Sequence, residues 1–289
     1  MEAIRCQGLT RRRWGRPVLD RLDLTVGQGE VVGLVGPGGA GKTTVLRLLA
    51  GLARPSAGAA WLLGEPVPCP GRLAEVGALI GRPGADPWLT GRQQLEVLLR
   101  SGPPGPPGAV DRALGQAGLR RLADRRVGTW AGPARRRLAI AAALLRQPKL
   151  LLLDEPVAGL DAEGTARVAA LLAELAGQGV TMLVAARRLG TLEPMCARVA
   201  VLDRGRLVAD RPAGTVRVRL DPADHRAAVH LLAGYGPRAE APGVLLVGQG
   251  DGYQVNQRLV GGGVYADAIE TASPLAEAAG EVRGATGRG

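Results

Sequence analysis

The stretch from Gly36 to Thr44, G-P-G-G-A-G-K-T-T, constrains this chain more than any other. Val31, Val32, Leu34 and Val35 precede it and V-L-R-L-L-A follows, so the glycines lie between a buried strand and an amphipathic helix. A strand, a glycine-rich turn and a helix opening on Lys-Thr make a P-loop. Gly36, Gly39 and Gly41 open backbone dihedrals closed to other residues, so the turn can aim successive N–H groups at phosphate oxygens. The helix beginning near Lys42 adds the positive end of its dipole. The expected guest is a nucleotide held by Gly36, Gly38, Gly39, Ala40, Gly41, Lys42, Thr43 and Thr44. Lys42 would reach the β- and γ-phosphates and the Thr43 hydroxyl would ligate Mg²⁺.

With 289 residues the chain can bury a substantial core, as one large α/β domain or as one domain with a small appendage. A hydrophobic fraction of 46% argues against disorder. No apolar run approaches the ~20 residues that cross a bilayer, and M-E-A-I-R-C carries no signal-peptide core, so the expected compartment is the cytosol. Cys6, Cys69 and Cys196 are widely separated and lack CxxC spacing, which argues against a disulfide framework or a zinc site.

The formal charge is +11, and every basic residue except Lys42 and Lys149 is arginine. Phe is absent and Asn occurs only at 256, a pattern of GC-rich coding that makes much of the basicity background. A positive surface favours anionic partners, nucleic acid or the inner membrane leaflet. The triple-arginine runs 11–13 and 135–137 read as solvated faces. Aromatics at 2% are too sparse for a base-stacking platform, so no specific nucleic acid partner is expected.

Residues 1–30 alternate weakly, as two antiparallel edge strands joined by a turn through R-R-R-W-G-R-P. Trp14 on that turn either covers the sheet edge or offers its face to an adenine ring. A-A-W-L-L-G and 73–80 read as strands, and Thr90 caps a helix running to Arg100. S-G-P-P-G-P-P-G cannot be helical and serves as a connector. Helical patterns at 110–122 and 135–145 make 86–147 mostly helical. L-L-L-L-D-E-P then reads as a strand buried on both faces, with charge at its C-terminal end, where α/β sheets place ligands. Downstream of a P-loop lysine, Asp154 would hold Mg²⁺ directly or through water, and Glu155 would accept a proton from the attacking water. A helix over 162–177 and strands at 180–185 and around V-A-V-L-D-R-G-R-L-V-A complete the parallel core. Beyond Arg211, V-R-V-R-L, a helix over 222–232, V-L-L-V, a helix near Asn256 and V-Y-A-D-A-I make a small α/β appendage, and the tail from Ala278 is expected to fray.

With Asp161 in P-V-A-G-L-D, residues 1 to about 210 resemble the ATP-binding subunit of an ABC transporter. Trp14 matches the adenine-stacking aromatic, L-L-L-L-D-E-P the second nucleotide motif, and A-G-L-D the loop that touches a partner subunit. The C-terminal region, with T-A-S-P-L-A-E-A, is similar to the extension of drug-export and antibiotic-resistance members. The resemblance implies an α/β P-loop NTPase over 1–210 with a mostly parallel sheet, an antiparallel edge subdomain and a helical subdomain, followed by the appendage over 211–289. It implies ATP and Mg²⁺ as cofactors, Glu155 as catalytic base, a membrane permease and a second ATP-binding subunit, identical or not, as partners, and a place at the inner face of the cell membrane.

Three motifs depart from the family pattern. Its signature L-S-G-G-Q falls on Trp130, Ala131, Gly132, Pro133 and Ala134; Ala131 lacks the serine hydroxyl and Pro133 has no N–H to donate. Losing one such donor to a transferring phosphoryl group costs on the order of 3 kcal/mol of transition-state stabilisation. The switch histidine falls on Arg187, which cannot shuttle a proton but can hold a phosphate. The loop that usually offers Gln or Glu places Gly81 at that position. His225 and His230 both lie in the appendage, too poorly aligned on a helix to share a metal.

Overall fold

The computed structural model describes residues 1–81, 84–188, 192, 195–212, 216–248 and 252–271. The chain divides into two compact bodies: Met1–Met195 with Leu202–Leu207, and Cys196–Val201 with the chain from Val208 onward.

The first body opens on a long hairpin, β1 (Glu2–Arg13) and β2 (Arg16–Gly27), turned by Trp14 and Gly15 alone. Both turn residues have positive φ, 55° and 76°, the geometry of a two-residue type I′ turn that matches strand twist. The strands thus absorb the arginines on either side of Trp14, where the sequence pattern alone suggests a longer turn. β4 (Ala57–Leu62) and β5 (Glu65–Pro66) complete an antiparallel sheet in the order β2-β1-β4-β5.

Beside it runs a parallel sheet of β3 (Val31–Val35), β8 (Thr181–Ala186), β7 (Leu150–Asp154) and β6 (Val76–Leu79), in that order. Every residue of β3, β7 and β8 is buried, as continuous apolar runs in a covered parallel sheet require. Residues 73–75, read from sequence as strand, instead finish a 3₁₀ helix over Pro70–Glu75, which Pro70 starts by lacking an N–H for a ladder. α1 (Lys42–Leu49) follows the P-loop and buries Val45, Leu46, Leu48 and Leu49.

The helical segment between the strands is α2 (Gly91–Arg100), α3 (Ala109–Gln116) and α4 (Gly132–Leu144). Thr90 caps α2 in a reciprocal box with Gln93. Leu95, Leu114, Leu119, Val127, Trp130 and Leu138 form a core of their own. α5 (Ala162–Gly177) is capped by Asp161, whose Oδ1 accepts the Gly164 N–H at 2.8 Å. A hairpin of β9 (Arg198–Asp203) and β10 (Arg206–Pro212) places its tip, Leu202–Leu207, in the first body.

The second body continues as β11 (Val216–Leu220), α6 (His225–Leu231), β12 (Arg238–Ala241), β13 (Val244–Val247), α7 (Gly252–Gly261) and β14 (Ala266–Thr271). Its antiparallel sheet has the order β12-β13-β11-β14, so the unit is a βαββαβ split of ferredoxin-like topology. Val216, Val218, Leu220, Leu245 and Val247 face Ala228, Leu232, Val255 and Leu259 of the helices. β12 is exposed along its whole length, so no apolar alternation announced it. The expected frayed tail lies outside the described residues, as does all but Thr271 of the T-A-S-P-L-A-E-A stretch.

Candidate functional site

The turn between β3 and α1 is shaped by what surrounds it. Gly36, at φ 154°, has the Leu202 carbonyl oxygen 2.0 Å from where a Cβ would stand; Gly41, at φ 110°, has the Val18 carbonyl at 2.9 Å. Any side chain at either position would push the hairpin tips off the loop, so glycine here is forced by contact as well as by dihedral. The Gly205 N–H, donating to Ala40 O at 2.9 Å, pins the same loop from the β9–β10 tip.

Lys42 is 6% exposed, and its Nζ donates to the carbonyls of Gly36 at 2.5 Å and Pro37 at 2.9 Å. Burial holds its pKa below the usual lysine value, with Arg187 acting in the same direction and the Glu155 and Asp154 carboxylates opposing. An anion in the loop would relieve that desolvated cation. Thr43 Oγ1 donates to Asp154 Oδ2 at 2.8 Å, and the Gly81 N–H donates to the same oxygen at 3.2 Å. A hydroxyl and a carboxylate side by side are the hard-oxygen donors that Mg²⁺ selects. The residues present therefore fit both a polyphosphate and its metal.

Glu155 follows Asp154 in the left-handed region, at φ 49°. Its N–H donates to Ala185 O at 2.7 Å, and its Oε1 accepts the Arg187 N–H at 3.0 Å. The Arg187 guanidinium reaches back over the P-loop, its Nη2 3.6 Å from the Cβ position of Gly38. The structure thus brings together the glycine loop, Lys42, Thr43, Asp154, Glu155 and Arg187 at the C-terminal edge of the parallel sheet, where such sheets bind ligands.

A cavity of about 470 Å³ opens beside the start of α1, lined by Arg11, Arg13, Val18, Thr44, Arg47 and Leu52 among others. Sequence reasoning counted Arg11 and Arg13 among solvated charges and passed over Arg47; only the long hairpin brings the first two to Thr44. Trp14, 88% exposed, sits at the hairpin tip with its ring uncovered.

Ala131 is the N-cap of α4 and makes no side-chain cap bond, and Pro133 occupies the first turn, where a missing N–H costs the helix nothing. Arg136, also missed from the sequence, is half-buried and reaches the end of β7. Burial lowers its pKa, against the pull of Asp154 and Glu155. His225 and His230 belong to the second body.

The family profile described as ABC transporter matches residues 19–158. The daunorubicin resistance ATP-binding protein DrrA2 of Streptomyces coeruleorubidus is 40% identical over 215 residues, covering 72% of this chain and 66% of that protein. The Nod factor export ATP-binding protein I of Rhizobium meliloti is 35% identical over 213 residues, covering 72% and 64%. The chain thus spans just under two thirds of the length of these relatives. Among solved structures, an ATP-binding cassette in a dimeric post-hydrolysis state with ADP and Pi superposes with a TM-score of 0.66 at 23% identity, covering 72% of this chain and 98% of that one, a likeness of fold.

Proposed function

The chain belongs to the ABC transporter family, and from that premise we propose that it is the ATP-binding subunit of an export system. Its permease is a separate membrane chain, and its turnover is weakened. The observation that carries the reading is the meeting of Thr43 with Asp154, 2.8 Å apart, next to a buried Lys42. Phosphate donors, a cation and metal-type oxygens thus stand in one place.

In this reading Gly36, Gly38, Gly39, Ala40, Gly41 and Thr44 cradle the phosphates, Lys42 holds the β- and γ-phosphates, and Trp14 stacks on the adenine. Thr43 and Asp154 hold Mg²⁺, which neutralises phosphate charge when bound. Glu155 takes the proton of the attacking water. Residues 1–210 form the nucleotide domain and 211–289 the appendage. No helix among the described residues is long and apolar enough to cross a membrane. In this reading the subunit sits peripherally at the inner face of the cell membrane, beside its permease. Export is favoured by the relatives' roles in daunorubicin resistance and Nod factor export.

Weakened turnover rests on Ala131, Pro133, Arg187 and Gly81. A symmetric dimer carries every one of these changes at both sites, whereas a pair with a less altered partner keeps one site whole. A second reading, a regulatory subunit that binds ATP without hydrolysing it, is favoured by the same residues. Equilibrium dialysis with Mg·ATP, beside steady-state ATPase of the wild type and Glu155→Gln, separates the readings. Magnesium-dependent uptake lost in Lys42→Ala is expected. Turnover equal to that of Glu155→Gln selects the regulatory subunit, and absence of uptake removes both.

A further inference from the structure

Taking Glu155 as the base proposed above, we infer that Arg136 is a positioning residue. Its guanidinium clamps the peptide units on both sides of Glu155 and so sets the direction of that carboxylate.

Strand β7 ends where Asp154 pairs with Ala185, the last register pair of the β7–β8 ladder. Past that point the carbonyls of Asp154, Glu155 and Pro156 leave the sheet, and buried carbonyls need donors. Arg136 supplies one to each. Its Nη2 donates to Asp154 O at 2.6 Å and to Glu155 O, and its Nε to Pro156 O at 3.5 Å. Nη1 adds Gly81 O at 3.3 Å, which ties in the loop after β6. A planar guanidinium carries five N–H groups in a fixed fork, which lets one side chain cover the carbonyls of several residues at once.

What the fork holds is a residue that does not hold itself. Glu155 sits at φ 49°, a region that costs a non-glycine residue roughly 1–2 kcal/mol and persists only where surroundings over-determine it. The Ala185 carbonyl fixes its N–H; Arg136 and the Ala158 N–H fix its carbonyl. The carboxylate aimed by that backbone then accepts the Arg187 N–H. Arg136 forms no ion pair among the described residues, so its half-buried charge is directed at carbonyls, with Asp154 and Glu155 as the nearby negative field. It lies on α4, just after Ala131–Ala134, and therefore also joins that segment to Glu155.

The test is amide hydrogen exchange on the full chain, with wild type, Arg136→Met and Arg136→Lys, read together with Mg·ATP dialysis. Arg136→Met should speed exchange at Glu155 and Arg187 by about 10-fold or more, the scale of lost bonds to a charged group, with the α4 interior around Leu138–Ala141 unchanged. Mg·ATP uptake should stay within about threefold, and Arg136→Lys, with a single ammonium in place of the fork, should restore only part of the protection. Wild-type exchange at Glu155 and Arg187 in the Met variant overturns the inference. So does equal acceleration throughout α4, which would make Arg136 a residue of the fold alone. A wild-type chain that takes up no Mg·ATP instead removes the reading of Glu155 as a base, so the two failures are told apart.

Discussion

Thr43 Oγ1 and Asp154 Oδ2 lie 2.8 Å apart, one at the first turn of α1 and the other at the last residue of β7. The contact exists because β3 and β7 flank β8 in one parallel sheet and end level with each other. It joins the two halves of the proposed nucleotide site.

Thr43→Ala and Asp154→Asn should each remove most of the magnesium-dependent part of ATP uptake, by about 10- to 100-fold, the worth of a hydrogen bond to a charged group. Uptake in EDTA should change little. The double variant should lose no more than the worse single one, since both act on one shared ligand set. Dialysis with and without Mg²⁺ reads this directly, and additive losses would show the residues acting apart.

The buried Lys42 gives the site a pH signature. Its pKa is held below the usual 10.5, chiefly by burial, so the unfolded chain keeps the proton to higher pH than the folded one. Between the folded and unfolded pKa the unfolded state binds more protons, and stability of the nucleotide-free protein rises with pH relative to Lys42→Met. ATP affinity must move oppositely, falling as the cation is lost. Thermal melts and dialysis from pH 8 to 10.5 check both signs, and parallel curves for wild type and Lys42→Met would contradict the assignment.

Much of this was legible because the residues declare it. A glycine-rich turn cannot be filled, an all-leucine strand must be covered on both faces, and a polar pair at its end falls where α/β sheets place ligands. Arg136 was not legible, because an arginine in a run of three looks solvated until the fold shows which of them turns inward. Nor was the left-handed backbone of Glu155, since nothing in D-E-P requires it. The two-residue turn at Trp14-Gly15 was missed for a related reason: the flanking arginines are polar and none is buried, yet β1 and β2 carry them as paired strand residues at the tip of the hairpin. The pairing of β11 with both β13 and β14, which makes the second body ferredoxin-like, depends on long-range contacts that local pattern does not encode.

The altered helix start at α4 separates stability from catalysis. Ala131→Ser supplies the missing cap and should stabilise the protein by about 1 kcal/mol, raising Tm by roughly 2–4 °C whether or not nucleotide is present. Pro133→Gly should cost stability, because proline suits that position and glycine widens the unfolded ensemble. Together they return one hydroxyl and one N–H to the segment, and turnover should rise by about 100-fold if each site draws on its partner's segment. Melting curves and steady-state ATPase read the two effects independently.

Trp14 offers the sharpest opposition between folding and function. With φ 55° and 88% exposure, a bulky aromatic at the first position of a type I′ turn contributes nothing to the core and strains the backbone. Asparagine is the preferred residue there, so Trp14→Asn, which makes an Asn-Gly turn between Arg13 and Arg16, should stabilise the protein by up to about 1 kcal/mol. The same substitution removes the uncovered ring. Stacking on a base is worth ~1–3 kcal/mol, so ATP affinity should fall by roughly 5- to 100-fold while inorganic triphosphate, which has no base, binds as before. Trp14→Tyr keeps a π-face and should retain ATP affinity. A Trp14→Asn chain with higher Tm and unchanged ATP affinity would take the adenine contact away from Trp14 and leave it with no role in the site.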